Sequence, residues 1–241
     1  EWYSDKSGLL PATRVYDIYE DHAGNEWVLT NNGLGMLAAG NRTMASYFVE
    51  TAKQEKGKGQ FFYVAQEYGN EIFFGSDHGR IWRYQKQGGQ FELLQLPASS
   101  RIVEIKKINE QAILIVTKTD GFFVYDVASK GMEHYEASRL PKAPVRSAYM
   151  DKYSEIWFEQ EVPGTVAHFN AKTKVLKTEV IPVEPTSTDR SRPAFHVHED
   201  IYGTVWVHPY GGGFSRFDRE NNRLQSFYNG LSDANLSLIH I

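Results

Sequence analysis

The stretch "EDHAGNEWVLTNNGLG" at residues 20–35 returns, in altered form, as "EDIYGTVWVHPYGGG" at residues 199–213. In both copies an Asp stands three residues before a Gly and six before a Trp. Three weaker copies begin between them, at Glu67, Ile108 and Asp151. The Trp position is filled in turn by Trp27, Phe73, Leu114, Trp157 and Trp206, with spacings of 46, 41, 43 and 49 residues. A repeat of about 45 residues is the main signal in the sequence.

Each repeat contains four short strands separated by turns. In the last repeat the predicted strands are 194–200, 204–209, 214–218 and 223–228. Short aromatic and β-branched runs bounded by Gly, Asn and Asp are typical of hairpins, and no segment keeps a helical apolar period. Repeats of four antiparallel strands predict an all-β chain folded as a β-propeller, with about five whole blades. The predicted blades are 14–50, 60–97, 101–137, 144–182 and 194–229, in a single propeller domain, or part of one, spanning 1–241.

The Asp and Gly of the repeated stretch predict a tight turn between the first and second strands. An Asp carboxylate can accept backbone N–H groups in such a turn, and Gly supplies positive φ. The following Trp should pack between blades. Glu20 and Asp21 resemble an acid–base pair, but neighbours on a strand point to opposite faces, so we expect architecture here and not chemistry.

Composition and charge narrow the function classes. The 241 residues include 14 Tyr, 14 Phe and 5 Trp, which favours sheet. A net charge of −4 argues against a nucleic-acid partner. The absence of Cys excludes disulfides, thiolate nucleophiles and Cys-ligated zinc. The longest apolar run, 112–116, is too short to span a bilayer, so we expect no membrane insertion by this segment.

The two ends of the chain resemble partial blades. Residues 1–4 read as the last strand of a preceding blade, and 235–241 read as the first strand of a following one. The first residue is Glu, and no signal-like segment follows it. We expect the chain to be a piece of a longer propeller array, with other blades, and a second copy in a homodimer, among its partners.

"VYDIYEDHAGNEWVLTNNGLG" (15–35) resembles the two-component regulator propeller repeat, as does 195–218 more loosely. Such repeats are typical of the periplasmic sensor region of hybrid two-component histidine kinases in Bacteroides-like bacteria. The resemblance implies a non-catalytic, periplasmic, ligand-sensing propeller that responds to a glycan fragment and regulates transcription through kinase modules lying outside this chain. It implies no cofactor. The middle repeats depart from the pattern, since "INEQAIL" (108–114) lacks both the Asp and the Gly.

Candidate ligand residues lie mainly in loops between second and third strands. A sugar site needs aromatic faces and planar polar groups, and an acidic or sulfated sugar adds a need for Arg. The residues that meet these needs are Asp77, His78, Arg80, Trp82, His208 and Tyr210, with Arg192 from the long connector 181–195. For any single one of them, the reading as an ordinary solvated side chain is favoured over a role in ligand binding.

Other readings stay open. His196 and His198 share one strand face and, with His208, suggest a zinc site, although variation at these positions favours a plain lining surface. A second hypothesis is a propeller hydrolase or lyase acting on a carbohydrate or lactone, but the sequence contains no recognisable catalytic motif. A third is a protein-interaction scaffold, which would expose a large apolar patch.

Overall fold

The computed structural model describes residues 12–40, 43–48, 60–160, 162, 164–181, 195–209 and 214–227. These residues form five four-stranded antiparallel sheets, each with its strands in chain order, and one short 3₁₀ helix at Ala137–Arg139. The first sheet contains β1 (Val15–Glu20), β2 (Glu26–Thr30), β3 (Leu34–Leu37) and β4 (Met44–Tyr47), and the second contains β5 (Phe62–Tyr68), β6 (Glu71–Ser76), β7 (Arg80–Gln85) and β8 (Gln90–Gln95). The third contains β9 (Ile102–Lys107), β10 (Ala112–Thr117), β11 (Phe122–Asp126) and β12 (Met132–Tyr135). The fourth contains β13 (Val145–Met150), β14 (Glu155–Gln160), β15 (Thr165–Asn170) and β16 (Val175–Val180), and the fifth contains β17 (Phe195–Glu199), β18 (Val205–Pro209), β19 (Phe214–Asp218) and β20 (Arg223–Phe227).

These sheets are the predicted blades. The all-β fold and the count of about five blades are confirmed, and the strands of each sheet fall inside the corresponding predicted range. The chain divides into two compact units, Glu1–Glu133 and His134–Ile241. The partial blades predicted at 1–4 and 235–241 lie outside the described residues.

Each blade buries its middle strands on both faces. β6, β10 and β14 are almost wholly buried, which is why they read as unbroken apolar runs such as "AILIVT". The outermost strands β8 and β16 alternate between exposed and half-buried residues. One apolar cluster lies between the first two blades, one between the second and third, and one between the fourth and fifth. The stacking of blades therefore supplies the core that a single blade lacks.

The repeated Asp organises its own turn, as predicted. Asp21 accepts the amides of Ala23 and Asn25, both at 3.0 Å, and the indole N–H of Trp27 at 3.2 Å. Asp200 makes the equivalent bond to Trp206 at 2.9 Å. Gly24 and Gly203 have φ of +76° and +82°. The turn positions Trp27 against the next blade, where the centroid of its ring lies 5.0 Å from that of Phe74.

The third repeat keeps this turn without its Asp. Asn109 Oδ1 accepts the amides of Gln111 at 2.8 Å and Ala112 at 2.9 Å. In the fourth repeat Asp151 caps the turn, but its second oxygen accepts Arg219 at 2.6 Å, and the buried indole nitrogen of Trp157 has no hydrogen bond. In the third repeat, "INEQAIL", the Asp is thus replaced by an Asn whose side-chain oxygen accepts the same kind of backbone hydrogen bonds.

A Glu at the end of the first strand joins one blade to the previous one. Glu67, at the end of β5, accepts the backbone amide of His22 at 2.8 Å, just after Asp21 in the turn of the first blade. Glu199, at the end of β17, accepts the amide of Lys152, which follows Asp151, at 3.2 Å. A Tyr two residues before the Asp completes the contact, because Tyr149 Oη donates to Glu199 at 2.9 Å. The repeated phrase therefore encodes both the turn and the joint between blades.

Candidate functional site

A β-bulge marks the start of the first strand in the first and second blades. The β1–β2 register shifts between Val15 and Asp17, and the β5–β6 register shifts between Phe62 and Val64. Tyr16 and Tyr63 are therefore the extra residues. Bulges re-aim side chains and are frequent beside binding sites. The two bulged tyrosines lie with ring centroids 4.7 Å apart.

Arginines and a third ring extend this pair into a cluster within the first unit. The Arg14 guanidinium lies 5.5 Å from the centroid of the Tyr16 ring, and the Arg101 guanidinium lies 4.9 Å from that of Tyr63. Phe61 is near-parallel to Tyr63 at 6.2 Å. Each guanidinium thus lies over a ring within cation–π range. We call this group the aromatic–arginine cluster; its members are Arg14, Tyr16, Phe61, Tyr63, Asp77 and Arg101.

Hydrogen bonds fix the cluster in place. Tyr63 Oη donates to Asp77 Oδ1 at 3.0 Å. Burial raises the pKa of Tyr63, and the Asp77 carboxylate raises it further, so this hydroxyl stays a donor at neutral pH. Asn31 Oδ1 accepts the Arg14 amide at 3.0 Å. The rings are half-buried, so they are anchored on the protein and still partly open to solvent.

The sequence-predicted residues of the second blade lie beside this cluster. Asp77 belongs to it, and its carbonyl oxygen accepts Arg80 Nε at 3.2 Å. His78 is exposed, with φ of +56°, and its Nδ1 lies 3.2 Å from the carbonyl oxygen of Ser99. The β6–β7 turn therefore brings Asp77, His78 and Arg80 together.

Trp82 has a different environment from the loop residues. It lies within β7, half-buried, with its ring 4.5 Å from that of Phe48 and against the apolar cluster between the first two blades. Its indole nitrogen is buried without a hydrogen bond. Its ring is used largely for packing between blades.

The predicted ligand residue His208 and its neighbour His196 lie in the second unit. His208 is in β18, not in a loop, because it pairs with His196 of β17; their rings are 5.4 Å apart. Burial and the neighbouring His196 lower the pKa of His208. His196 Nδ1 lies 3.7 Å from Glu159, whose carboxylate already accepts Val197 N and Ser147 Oγ. In the described parts of the chain, no group of three or more such side chains is placed to hold a metal ion.

Two predicted site residues cannot be placed. Arg192 and Tyr210 lie outside the described residues. The predicted contribution of the connector 181–195 to the site therefore stays a prediction, as does that of the glycine-rich 210–213 turn.

Sequence reasoning missed most of the aromatic–arginine cluster. Tyr16 and Tyr63 are 47 positions apart, one repeat, and each follows the first residue of its first strand. Arg14, Phe61 and Arg101 each precede such a strand. Alignment of the repeats at first-strand starts, instead of at the Trp position, was the signal that could have found them.

The first blade contains a segment that matches a known protein family. Residues 9–32, which include β1, the Asp21 turn and β2, match the model of the two component regulator propeller. This segment is similar to a two-component regulator propeller repeat. The resemblance inferred from the repeated stretch is thereby confirmed. A comparison with curated protein sequences finds no match.

Solved structures with this fold include sensor domains and enzymes. The extracellular domain of the one component system BT4673 from B. thetaiotaomicron has a TM-score of 0.66 at 15% identity, covering 91% of this chain and 28% of that one. The extracellular domain of the hybrid two component system BT3049 from the same organism has 0.62 at 17%, covering 90% and 30%. Virginiamycin B lyase from Staphylococcus aureus has 0.65 at 16%, covering 90% and 71%.

These similarities establish the propeller fold, which sensor ectodomains and lyases share. The chain spans less than a third of the length of the two sensor domains. Over the described residues, no helix is both long and apolar enough to cross a bilayer.

Proposed function

We propose that this chain is a non-catalytic, ligand-sensing part of the extracytoplasmic region of a two-component sensor, and that it binds an oligosaccharide. The observation that carries the proposal is the aromatic–arginine cluster, in which the partly open rings of Tyr16, Phe61 and Tyr63 lie together with two guanidinium groups. Aromatic surfaces with a few fixed polar groups are the usual composition of a saccharide-binding site.

The comparisons support the sensor part of the proposal. A two-component regulator propeller repeat lies in the first blade, and extracellular sensor domains share the fold. A periplasmic location and signalling to a kinase module are the corresponding expectations. Further blades or a second copy of the chain are its expected protein partners.

A thermal-shift screen tests the proposal directly. The purified chain is heated with panels of plant, host and microbial oligosaccharides, and the sugar is quantified afterwards by chromatography. A ligand at about 100 times its Kd stabilises the folded state by roughly 2.7 kcal/mol, which is a readable shift in Tm. We expect one class of sugar to raise Tm with dose and to be recovered intact. Consumption of the sugar would favour the hydrolase or lyase alternative instead.

A matched pair of variants assigns the effect to the cluster. Tyr16→Ala removes a ring from it, whereas Tyr153→Ala removes an exposed ring in the second unit that also lies beneath an arginine, with the Arg219 guanidinium 4.1 Å from its centroid. Loss of the ligand-induced shift in Tyr16→Ala alone supports the proposal. A flat panel with a well-folded chain, or equal shifts in both variants, contradicts it.

A further inference from the structure

The charges in the aromatic–arginine cluster are unbalanced. Among the described residues, neither the Arg14 nor the Arg101 guanidinium forms a salt bridge, and the buried Arg101 Nε has no hydrogen bond. Within the described part of the chain, the side chain of Arg80, at the start of β7, donates to a backbone carbonyl alone. This excess of unpaired guanidinium groups stands out in a chain whose net charge is −4.

The rings pre-organise these cations. A guanidinium over an aromatic face is held in one orientation and partly desolvated, so it loses little further freedom when it binds. The Arg14 guanidinium lies over the Tyr16 ring and the Arg101 guanidinium lies over the Tyr63 ring, and these two rings are tilted by 50° with their centroids 4.7 Å apart. The cluster therefore offers two planar, fork-shaped donors, each beside an aromatic ring, which suits two acidic groups on one extended ligand.

The local carboxylates Asp77 and Asp120 offset only part of this charge, because the arginines Arg14, Arg80 and Arg101 outnumber them. One oxygen of Asp77 already accepts Tyr63 Oη. Asp120, in the next loop, accepts the Ser100 amide at 2.8 Å and Ser99 Oγ at 3.1 Å, and these hydrogen bonds lower its pKa although burial acts to raise it. Both carboxylates are thus used to fix loops. Recognition of a neutral sugar by carboxylates bonded to its hydroxyls is correspondingly disfavoured.

We propose that the cluster selects acidic oligosaccharides, bearing carboxylate or sulfate groups, over their neutral counterparts, with Arg14 and Arg101 as the specificity-determining residues. This inference rests on the proposed saccharide-sensing function and names the ligand class of the same site. The shared chemistry is an oxyanion on a sugar ring, and the test separates the two sources.

Isothermal titration calorimetry on the whole chain uses matched pairs. Trigalacturonate is compared with its fully methyl-esterified form, which keeps the skeleton and removes the charge. A sulfated N-acetylglucosamine disaccharide is compared with its desulfated form. We expect the charged member of at least one pair to bind more tightly by at least about tenfold, the effect of one lost charge-assisted contact. Raising the salt from about 50 to about 500 mM should narrow that gap.

Three variants locate the effect. Arg101→Gln should weaken binding of the charged sugar by about tenfold or more and leave the neutral one nearly unchanged. Arg14→Gln, at an exposed position, should act in the same direction without risk to the fold. Arg216→Gln is the control, since this exposed arginine lies in the second unit and donates to Gln225.

The outcomes separate this inference from the proposed function. Equal affinity for the charged and neutral members would overturn the preference for acid and leave saccharide sensing intact. Tight binding of a charged sugar that survives both Arg14→Gln and Arg101→Gln would overturn the assignment to the cluster. Failure of every oligosaccharide, neutral or acidic, to bind the folded chain would overturn both proposals together.

Discussion

Replacing Glu67 by Ala should destabilise the joint between the first two blades. The Glu67 carboxylate accepts the His22 amide at 2.8 Å, His22 Nδ1 at 2.7 Å and the Lys86 ammonium. Its own backbone amide donates to Tyr19 Oη at 3.0 Å, which holds the strand end against the turn. The substitution removes the acceptor common to three donors and leaves those donors beside a small methyl group.

The size of the loss follows from burial. The Glu67 side chain is 6% exposed and that of Lys86 is 21% exposed. Breaking a buried ion pair typically costs 3–5 kcal/mol, and Lys86 can regain some water, so we expect about 3 kcal/mol. Glu92→Ala is the matched control on the same blade; its carboxylate, 53% exposed, lies 3.4 Å from Arg83. Exposed pairs of this kind contribute about 0–1 kcal/mol.

Urea unfolding of the two variants and the parent chain measures this difference, with hydrogen exchange of the β5 peptide as a local readout. Burial acts to raise the pKa of Glu67, but hydrogen bonds from Lys86 and His22 outweigh it, and the pKa is lowered from 4.5. The contribution of Glu67 should therefore be present above pH 4.5 and decline as the pH falls through the lower folded-state pKa. A loss no larger than that of Glu92→Ala, or a gap independent of pH, would refute the reasoning.

Three further outcomes follow from the same contacts. Asp21→Ala leaves the amides of Ala23 and Asn25 without their acceptor and should lower the free energy of unfolding in urea by about 1–3 kcal/mol. Asp21→Asn keeps one acceptor oxygen and should lower it by less, so equal losses would contradict the capping role. Gly75→Ala would place a Cβ 2.7 Å from Val64 Cγ1 and 2.8 Å from Ile102 Cβ, so we expect the free energy of unfolding to fall by about 1–3 kcal/mol. An unchanged urea midpoint would show that the blades can separate freely at this position. Burial and the hydrogen bond to Glu199 raise the pKa of Tyr149 to about 12. The ultraviolet titration of the parent minus that of Tyr149→Phe should therefore have its midpoint near 12, and this midpoint should move toward 10 when both chains also carry Glu199→Gln. Because the unfolded chain loses this proton first, the folded state should lose stability as the pH rises from about 10 to about 12.

Most of the fold could be predicted from the sequence because the residues that form its turns act locally. The strand predicted at 214–218 is β19. The strands predicted at 204–209 and 223–228 differ from β18 and β20 by one residue at one end, and the strand predicted at 194–200 differs from β17 by one residue at each end. Asp, Gly and Trp act within one hairpin, so their spacing is visible in the sequence. Even the irregular third repeat obeys the same chemistry, because Asn109 offers the same acceptor oxygen as Asp.

The contacts that join neighbouring blades and the aromatic–arginine cluster were harder to predict because they form between residues of different repeats. Glu67 and His22 are 45 residues apart, and Tyr16, Tyr63 and Arg101 come from three blades. The bulges that bring the two tyrosines together leave no mark in a periodic pattern. Another example is His168, which is buried against Trp157 and bonded to Glu155 at 2.5 Å, although "VAHFN" reads as an ordinary third strand.

A sugar bound at the aromatic–arginine cluster should protect the backbone amides around it from hydrogen exchange. Hydrogen exchange of the whole chain, with and without the oligosaccharide that raises its Tm most, tests this most directly. We expect protection at the starts of β1, β5 and β9 and in the β6–β7 turn, where Tyr16, Tyr63, Arg101 and Asp77 lie. Protection confined to β17 and β18 of the second unit, with none at these four places, would contradict it.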